Sequence, residues 1–296
     1  MYLLLGDSDD LCCRSVREAL SERGDATHVV ANPLSEPSRF SWWLDSDQSA
    51  SFLAWNGQTA VRDDQITGVL VLDPGCIDPD GWHPDDLSYV QAETHAALLG
   101  WLWSLPCPVV NRYPPAVWYR PQAPLLSWHG LLQRSGLPTL ETLVTSVEDE
   151  ARAFGERLTA DGAGGAVYGP LTSGVRYLVA SEADWSGLAT LQRVTPVSLS
   201  APHGETRLVC VVGDRIVWNG PPSQEESGLE PALCAFAQAA GLAFVEVGLA
   251  PTRTGLCVVT VETRPRLERF VDAARAEIVA GLVQLLTPPV PARSSS

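Results

Sequence analysis

Lysine is missing from this chain altogether. All 20 basic residues among its 296 are arginine. No side chain can therefore form a lysine Schiff base or act as the ammonium of a phosphate-binding P-loop. Positive charge is scarce in total, since 35 acidic residues leave a formal net charge of −15. A surface of that sign repels phosphate backbones, so nucleic acid is excluded as an expected partner. No apolar run reaches the ~20 residues of a membrane-spanning helix, and no membrane partner is expected. Residues 1–5 lack the basic start and the length of a signal peptide, which makes a cytoplasmic protein the expectation. The 7 cysteines contain no Cys-x-x-Cys, and the 5 histidines show no metal-ligand spacing. Buried thiols in a reducing compartment fit that pattern better than disulfides or a zinc site.

What is present describes a globular α/β chain, with 45% hydrophobic and 19% charged residues. Residues 2–5 read as a strand. A helix with Leu11, Val16, Ala19 and Leu20 on one side and a second strand at 28–30 complete a βαβ opening. Residues 33–51 read as a Ser/Pro/Trp-rich loop holding Trp42 and Trp43. Residues 51–61 read as a hairpin turning on Asn56-Gly57, and 68–72 as a strand. Asp85-Asp86 can cap a helix running to about Ser104, with Tyr89, Ala92, Ala96, Leu99 and Trp103 at helical spacing. A first domain, 1–115, is expected to end there.

Residues 116–290 form the second expected domain, with a central subdomain at about 160–200 and a loose tail at 291–296. It should begin with a helix at 123–135, stopped by Gly136. Strand 143–145 and a helix at 147–158, capped by Ser146, follow. Gly162-Ala-Gly-Gly165 reads as a link rather than a phosphate loop, since no Gly-Lys-Ser/Thr follows it. Strands are expected at 166–168, 175–180 and 193–200, and a hairpin across Gly213-Asp214. A helix at 229–240 leads into strands 244–249 and 256–262, and a helix at 267–286 ends the fold. Residues two apart share a strand face, so pairing of the last two strands brings Glu246 and Glu262 toward one cleft.

Five phrases, in this order and spacing, resemble the ATP-grasp superfamily, its peptide- and amino-acid-ligase branch above all. They are Pro108-Val-Val-Asn-Arg112, Gly136-Leu-Pro-Thr-Leu-Glu-Thr-Leu-Val-Thr145, Tyr168-Gly-Pro-Leu171, Glu205-Thr-Arg-Leu-Val-Cys-Val-Val-Gly-Asp214 and Val261-Glu-Thr-Arg-Pro265. The resemblance implies an N-terminal βαβ (pre-ATP-grasp) domain and two α+β subdomains enclosing a cleft. It also implies ATP and Mg²⁺ as cofactors of an active site, held by lysines, an arginine and acidic residues. Carried onto this chain, the family's Lys-Pro-Leu lysine falls on Gly169 and its acidic hinge on Ser200-Ala201. The first metal aspartate falls on Gly248, and the Glu-x-Asn pair on Thr260 and Glu262. Arg207 keeps the place of the catalytic, phosphate-contacting arginine, and Arg264 follows the metal pair.

Two readings of that site remain open. In one it is degenerate, with no cofactor, and the protein is a non-catalytic or atypical member beside a biosynthetic or peptide-modifying system. In the other it is rewired into an active carboxylate–amine ligase, with Arg176, Arg193 and Arg207 gripping ATP phosphates and Glu246 and Glu262 holding Mg²⁺. A third reading is an interaction scaffold, because 8 of the 10 tryptophans precede residue 129. Trp42 and Trp43 in a polar loop call for a protein, peptide or subunit partner, a homo-oligomer included.

Overall fold

The structure, a computed structural model, describes residues 1–31, 39–46, 49–54, 60–73, 75, 77, 79–120, 123–171, 175–253 and 255–288. The chain opens with β1 (Tyr2–Leu5), α1 (Leu11–Glu22) and β2 (Thr27–Val30), and β1 and β2 pair in parallel. Asp10 caps α1 by accepting from the Cys13 N–H at 2.9 Å. The expected βαβ opening is thus present.

The stretch expected to be a loop at 33–51 instead contributes two strands, β3 (Arg39–Leu44) and β4 (Ser49–Ala54). Its aromatic–serine alternation has period two, so Phe40 and Trp42 share one face and Ser41 and Trp43 the other. β5 (Val61–Arg62) pairs with β4 as the expected hairpin requires. The Asn56-Gly57 turn lies outside the described residues. β6 (Gly68–Val71) returns to the first sheet. It is followed by α2 (Pro84–Ser104) and β7 (Val109–Val110), giving the parallel order β2-β1-β6-β7. His83, not Asp85 or Asp86, sits at the N-cap of α2, ahead of Pro84 at the first helical position. The helix buries Leu98, Leu99, Trp101 and Leu102, whereas Tyr89 and Trp103 are exposed. Only its C-terminal half meets the core.

α3 (Pro115–Trp118) and α4 (Leu125–Arg134) connect to a second layer. This contains β8 (Thr142–Thr145), α5 (Glu148–Ala160), β9 (Ala166–Tyr168), β10 (Tyr177–Val179), α6 (Glu182–Gln192) and β11 (Val197–Ser200). Its sheet is antiparallel, in the order β10-β9-β11-β8. The cap of α5 is Val147 rather than Ser146, because Thr145 Oγ1 accepts the Val147 N–H and donates to Glu150. Between the strands expected at 175–180 and 193–200 the chain builds α6. Ser181 and Asp184 form its capping box, and Arg193 ends the helix instead of starting a strand. A separate small core holds this unit together, with Phe154, Leu158, Val179, Leu188 and Leu199 at its centre.

The last layer comprises β12 (Arg207–Val212), β13 (Arg215–Trp218), α7 (Gln224–Gly228), α8 (Glu230–Ala240), β14 (Phe244–Thr252), β15 (Gly255–Glu262) and α9 (Asp272–Leu286). The strands lie antiparallel in the order β13-β12-β14-β15. Gly241, at φ +68°, ends α8 in the left-handed conformation that glycine adopts without strain. The final helix is shorter than expected, since a 3-10 turn at Leu267–Arg269 precedes it.

One face of this sheet, with Val209, Val247 and Val261, packs on Phe236 of α8, Trp128 of α4 and Leu3 and Val69 of the first sheet. The other, with Cys210 and Phe244, packs on Ile278 and Leu282 of α9 and on Cys13 of α1. The first and last layers therefore share one continuous core across residue 115. Buried Asn111 adds a polar tie by donating to the Phe244 carbonyl at 2.6 Å and accepting the Phe244 N–H at 2.7 Å. Cys12, Cys13, Cys107, Cys210, Cys234 and Cys257 are free thiols, all but Cys234 buried. No helix among the described residues is long and apolar enough to cross a membrane.

Candidate functional site

The β10-β9-β11-β8 sheet and β15 of the last sheet face each other across a cleft of ≈ 270 Å³, with α4 along one side. One wall offers Gly169, Ser198 and Ser200. The other offers Thr260 and Glu262, and α4 contributes His129. Thr142, Arg176 and Arg266 add further polar groups to the lining.

The β14–β15 pair sets what the cleft can carry. Glu246 lies opposite Glu262 and Gly248 opposite Thr260, so all four share a face. Between them and the turn the register slips by one residue, leaving Val259 as a bulge. The Val259 carbonyl accepts from Arg176 Nη2 at 2.7 Å, which ties the segment before β10 to β15 across the cleft. Burial pushes the Arg176 pKa down from its ordinary value.

Glu246 does not open into this space. It is 0% exposed and accepts from Arg269 Nη1 at 2.5 Å and from the Arg266 N–H at 3.3 Å. Burial raises its pKa, and the Arg269 guanidinium pulls in the opposite direction. Glu262 is the carboxylate that lines the cleft. Arg207 points to the opposite face of the sheet, in register with Leu249. There it donates to Glu226 Oε1 at 3.1 Å and to the Pro221 carbonyl at 3.0 Å, so it is engaged in holding the start of α7. Arg193 is exposed at the end of α6, outside the cleft lining. Arg264 pairs with Asp73 at 3.3 Å.

Of the charged residues singled out in sequence, the cleft brings together Arg176 and Glu262, and Gly169, Ser200 and Thr260, the positions onto which the family's groups fall, line it as well. Arg207, Arg193 and Glu246 lie elsewhere. Arg266 and His129 are lining residues that sequence reasoning passed over. Arg266 did carry a signal, since it alternates with Arg264 in the extended run after β15. His129 carried none.

Magnesium needs oxygen ligands in near-octahedral array, commonly one or two carboxylates plus phosphate oxygens. Among the described residues one carboxylate, Glu262, lines the cleft, and its strand partner Glu246 is already paired with Arg269. Gly248 leaves no room for an acid, because a Cβ there would run into Thr260 Oγ1 and lie 2.8 Å from Thr206 Cγ2. Thr260 Oγ1 is itself buried with no hydrogen-bond partner. Among the described residues no group of three or more His, Cys, Asp or Glu side chains could hold a metal ion. The residues present do not fit a two-magnesium triphosphate. They form instead a small polar slot with two guanidiniums, an imidazole and one carboxylate.

No family model matches the chain, and no curated protein matches it. Solved structures do. The macrocyclase MdnC of Microcystis aeruginosa MRC, bound with its precursor peptide MdnA, superposes at a TM-score of 0.76 with 14% identity, covering 97% of this chain and 98% of that one. A RiPP-associated ATP-grasp ligase of Chryseobacterium gregarium, in complex with ADP and a leader and core peptide, gives 0.72 and 13% identity, covering 96% and 95%. The ATP-grasp ligase PsnB, with a precursor variant, Mg and ADP, gives 0.70 and 19%, covering 96% and 98%.

Proposed function

Because this chain has the ATP-grasp fold over nearly its whole length, we propose that it is a peptide-ligase-fold protein whose cleft has lost phosphoryl transfer and holds a peptide. One observation carries this reading. The face that should present metal-binding acids presents Gly248, Thr260, an already paired Glu246 and one open carboxylate, Glu262, and no lysine stands anywhere to grip a triphosphate. Arg176, Arg266 and His129 beside Glu262 suit recognition of peptide carboxylates and carbonyls. That three similar structures contain precursor or leader peptides supports a peptide partner, and a role beside a peptide-modifying system follows.

The active-ligase reading has one observation in its favour. Arg176 and Arg266 line the same cleft as Glu262, and paired guanidiniums can grip phosphate. An ADP-release assay with MgATP and a panel of carboxylate-bearing peptides separates the two. The degenerate site yields no ADP above background with any of them. Peptide-dependent ADP release would overturn the proposal.

A further inference from the structure

The size of the cleft limits how much of a peptide can enter it. Its ≈ 270 Å³ lies at the small end of ligand cavities, which run from about 300 to 1,000 Å³. α4 runs along one side, and the 2.7 Å hydrogen bond from Arg176 Nη2 to the Val259 carbonyl joins the two walls. A space bounded in this way suits one or two residues at the end of a chain better than a stretch from its middle.

Charge selects which end. Arg176 and Arg266 bring two positive charges to the lining and Glu262 brings one negative charge, on a protein whose formal net charge is −15. Residues 121–122 and 172–174, sequence neighbours of the lining, are Pro-Gln and Thr-Ser-Gly and carry no charge. A peptide amino terminus would therefore meet more repulsion than attraction, and a carboxylate the reverse. Arg176 is partly buried, and burial lowers the pKa of its guanidinium. Its bond to Val259 uses one of the five N–H donors that an arginine carries. An anion placed beside the remaining donors offsets the cost of that burial. A phosphate dianion would also confront Glu262. An α-carboxylate instead shares its Cα with an N–H donor, so one residue can offer its carboxylate to the arginines and its N–H to Glu262. Leu125, Leu126, Leu140, Leu171 and Val175 supply an apolar side to the same space. Leu126 is 39% exposed and Val175 50%, surface that an apolar side chain would cover.

We infer that the cleft captures the carboxy-terminal residue of a peptide, an apolar residue with its α-carboxylate free. This rests on the reading of the cleft as a peptide site and adds which part of the peptide enters. The carboxylate goes to Arg176 and Arg266, the last amide N–H to Glu262, and the side chain to the Leu126 and Val175 side.

Calorimetric titration of the intact protein with three N-acetylated peptides provides the test. They are Gly-Ser-Gly-Leu with a free acid, the same peptide as its carboxy-terminal amide, and Gly-Ser-Gly-Asp as its amide, which keeps a carboxylate on the side chain only. The leucine acid should bind saturably, and each amide should bind about tenfold or more weakly through loss of charge-assisted hydrogen bonds. Arg176→Gln and Arg266→Gln should each weaken the acid by about the same factor and leave the amides unchanged. The decisive comparison alters the peptide, so it does not depend on a variant folding. Equal binding of acid and amide, or an aspartate amide that matches the leucine acid, would overturn the inference and still leave a peptide in the cleft. No saturable binding of the leucine acid at millimolar concentration would overturn it outright. Peptide-dependent ADP release is a separate result, which would remove the reading beneath it.

Discussion

The two walls of the cleft are built to different standards. β14 is buried at every residue from Phe244 to Ala250 and is held on both faces by large cores that reach into the N-terminal sheet. The opposite wall rests on a small core of its own, and Val175, Tyr177, Leu178 and Val194 around it are exposed. The firmly held wall carries Gly248, Thr260, the Arg269-paired Glu246 and Glu262. The lightly held wall keeps a direct link to it in the Arg176–Val259 hydrogen bond. Local opening free energies follow packing of this kind.

The largest effects should come from matched core truncations. Phe236→Ala in the shared core and Phe154→Ala in the small one each remove a buried ring, at a cost of about 3–5 kcal/mol. Phe236→Ala should lower the main cooperative melting transition. Phe154→Ala should instead speed amide exchange in residues 142–200 and leave that transition nearly in place. Equal loss of the main transition in both variants would erase the distinction between the walls.

Arg269→Met should rank next. Removing the partner of a fully buried ion costs about 3–5 kcal/mol, and about 2–3 kcal/mol is expected here because Arg269 is 39% exposed. The sign of its pH dependence is fixed by Glu246. Its folded-state pKa is raised, so the folded protein binds that proton more tightly than the unfolded chain does. Stability is full below the unfolded carboxyl pKa and falls as pH rises through the folded one. Melting curves from pH 4 to 8 should show the Arg269→Met defect shrinking toward acid, and Glu246→Gln should flatten that contribution.

Gly248→Ala should cost about 1–3 kcal/mol through overpacking against Thr206 and Thr260. A neutral result in chemical denaturation would show that the floor has room for the missing acid. Arg176→Ala should have the smallest effect, about 1 kcal/mol, because its hydrogen bond is only partly shielded from water. Its readout is faster exchange around β10, with β14 unchanged.

Much of the fold was legible because its cues are local. The apolar strands 2–5, 68–71 and 244–250, the Gly213 and Gly241 punctuation, and the hairpin that places Glu246 opposite Glu262 all follow from periodicity and turn chemistry. α6 was legible and overlooked, since Ser181 and Asp184 spell a capping box. β3 was obscured by its serines and aspartates, which hide a two-residue alternation within a loop-like composition. The site was harder to read because strand parity decides which face a residue joins. Arg207 lies one residue from the face that carries Glu246, and so reaches Glu226 and not the cleft. Glu246 has the right parity, but it takes the alternative the sequence also offered, an ion pair with Arg269, and does so buried rather than at the surface.

Acceptance of a metal-bound triphosphate is what divides the degenerate cleft we propose from an active one. Calorimetric titration of MgATP into the intact protein tests it most directly. The degenerate cleft should give no saturable heat up to millimolar nucleotide. A saturable isotherm in the micromolar range that requires Mg²⁺ and is abolished by Glu262→Gln would contradict it.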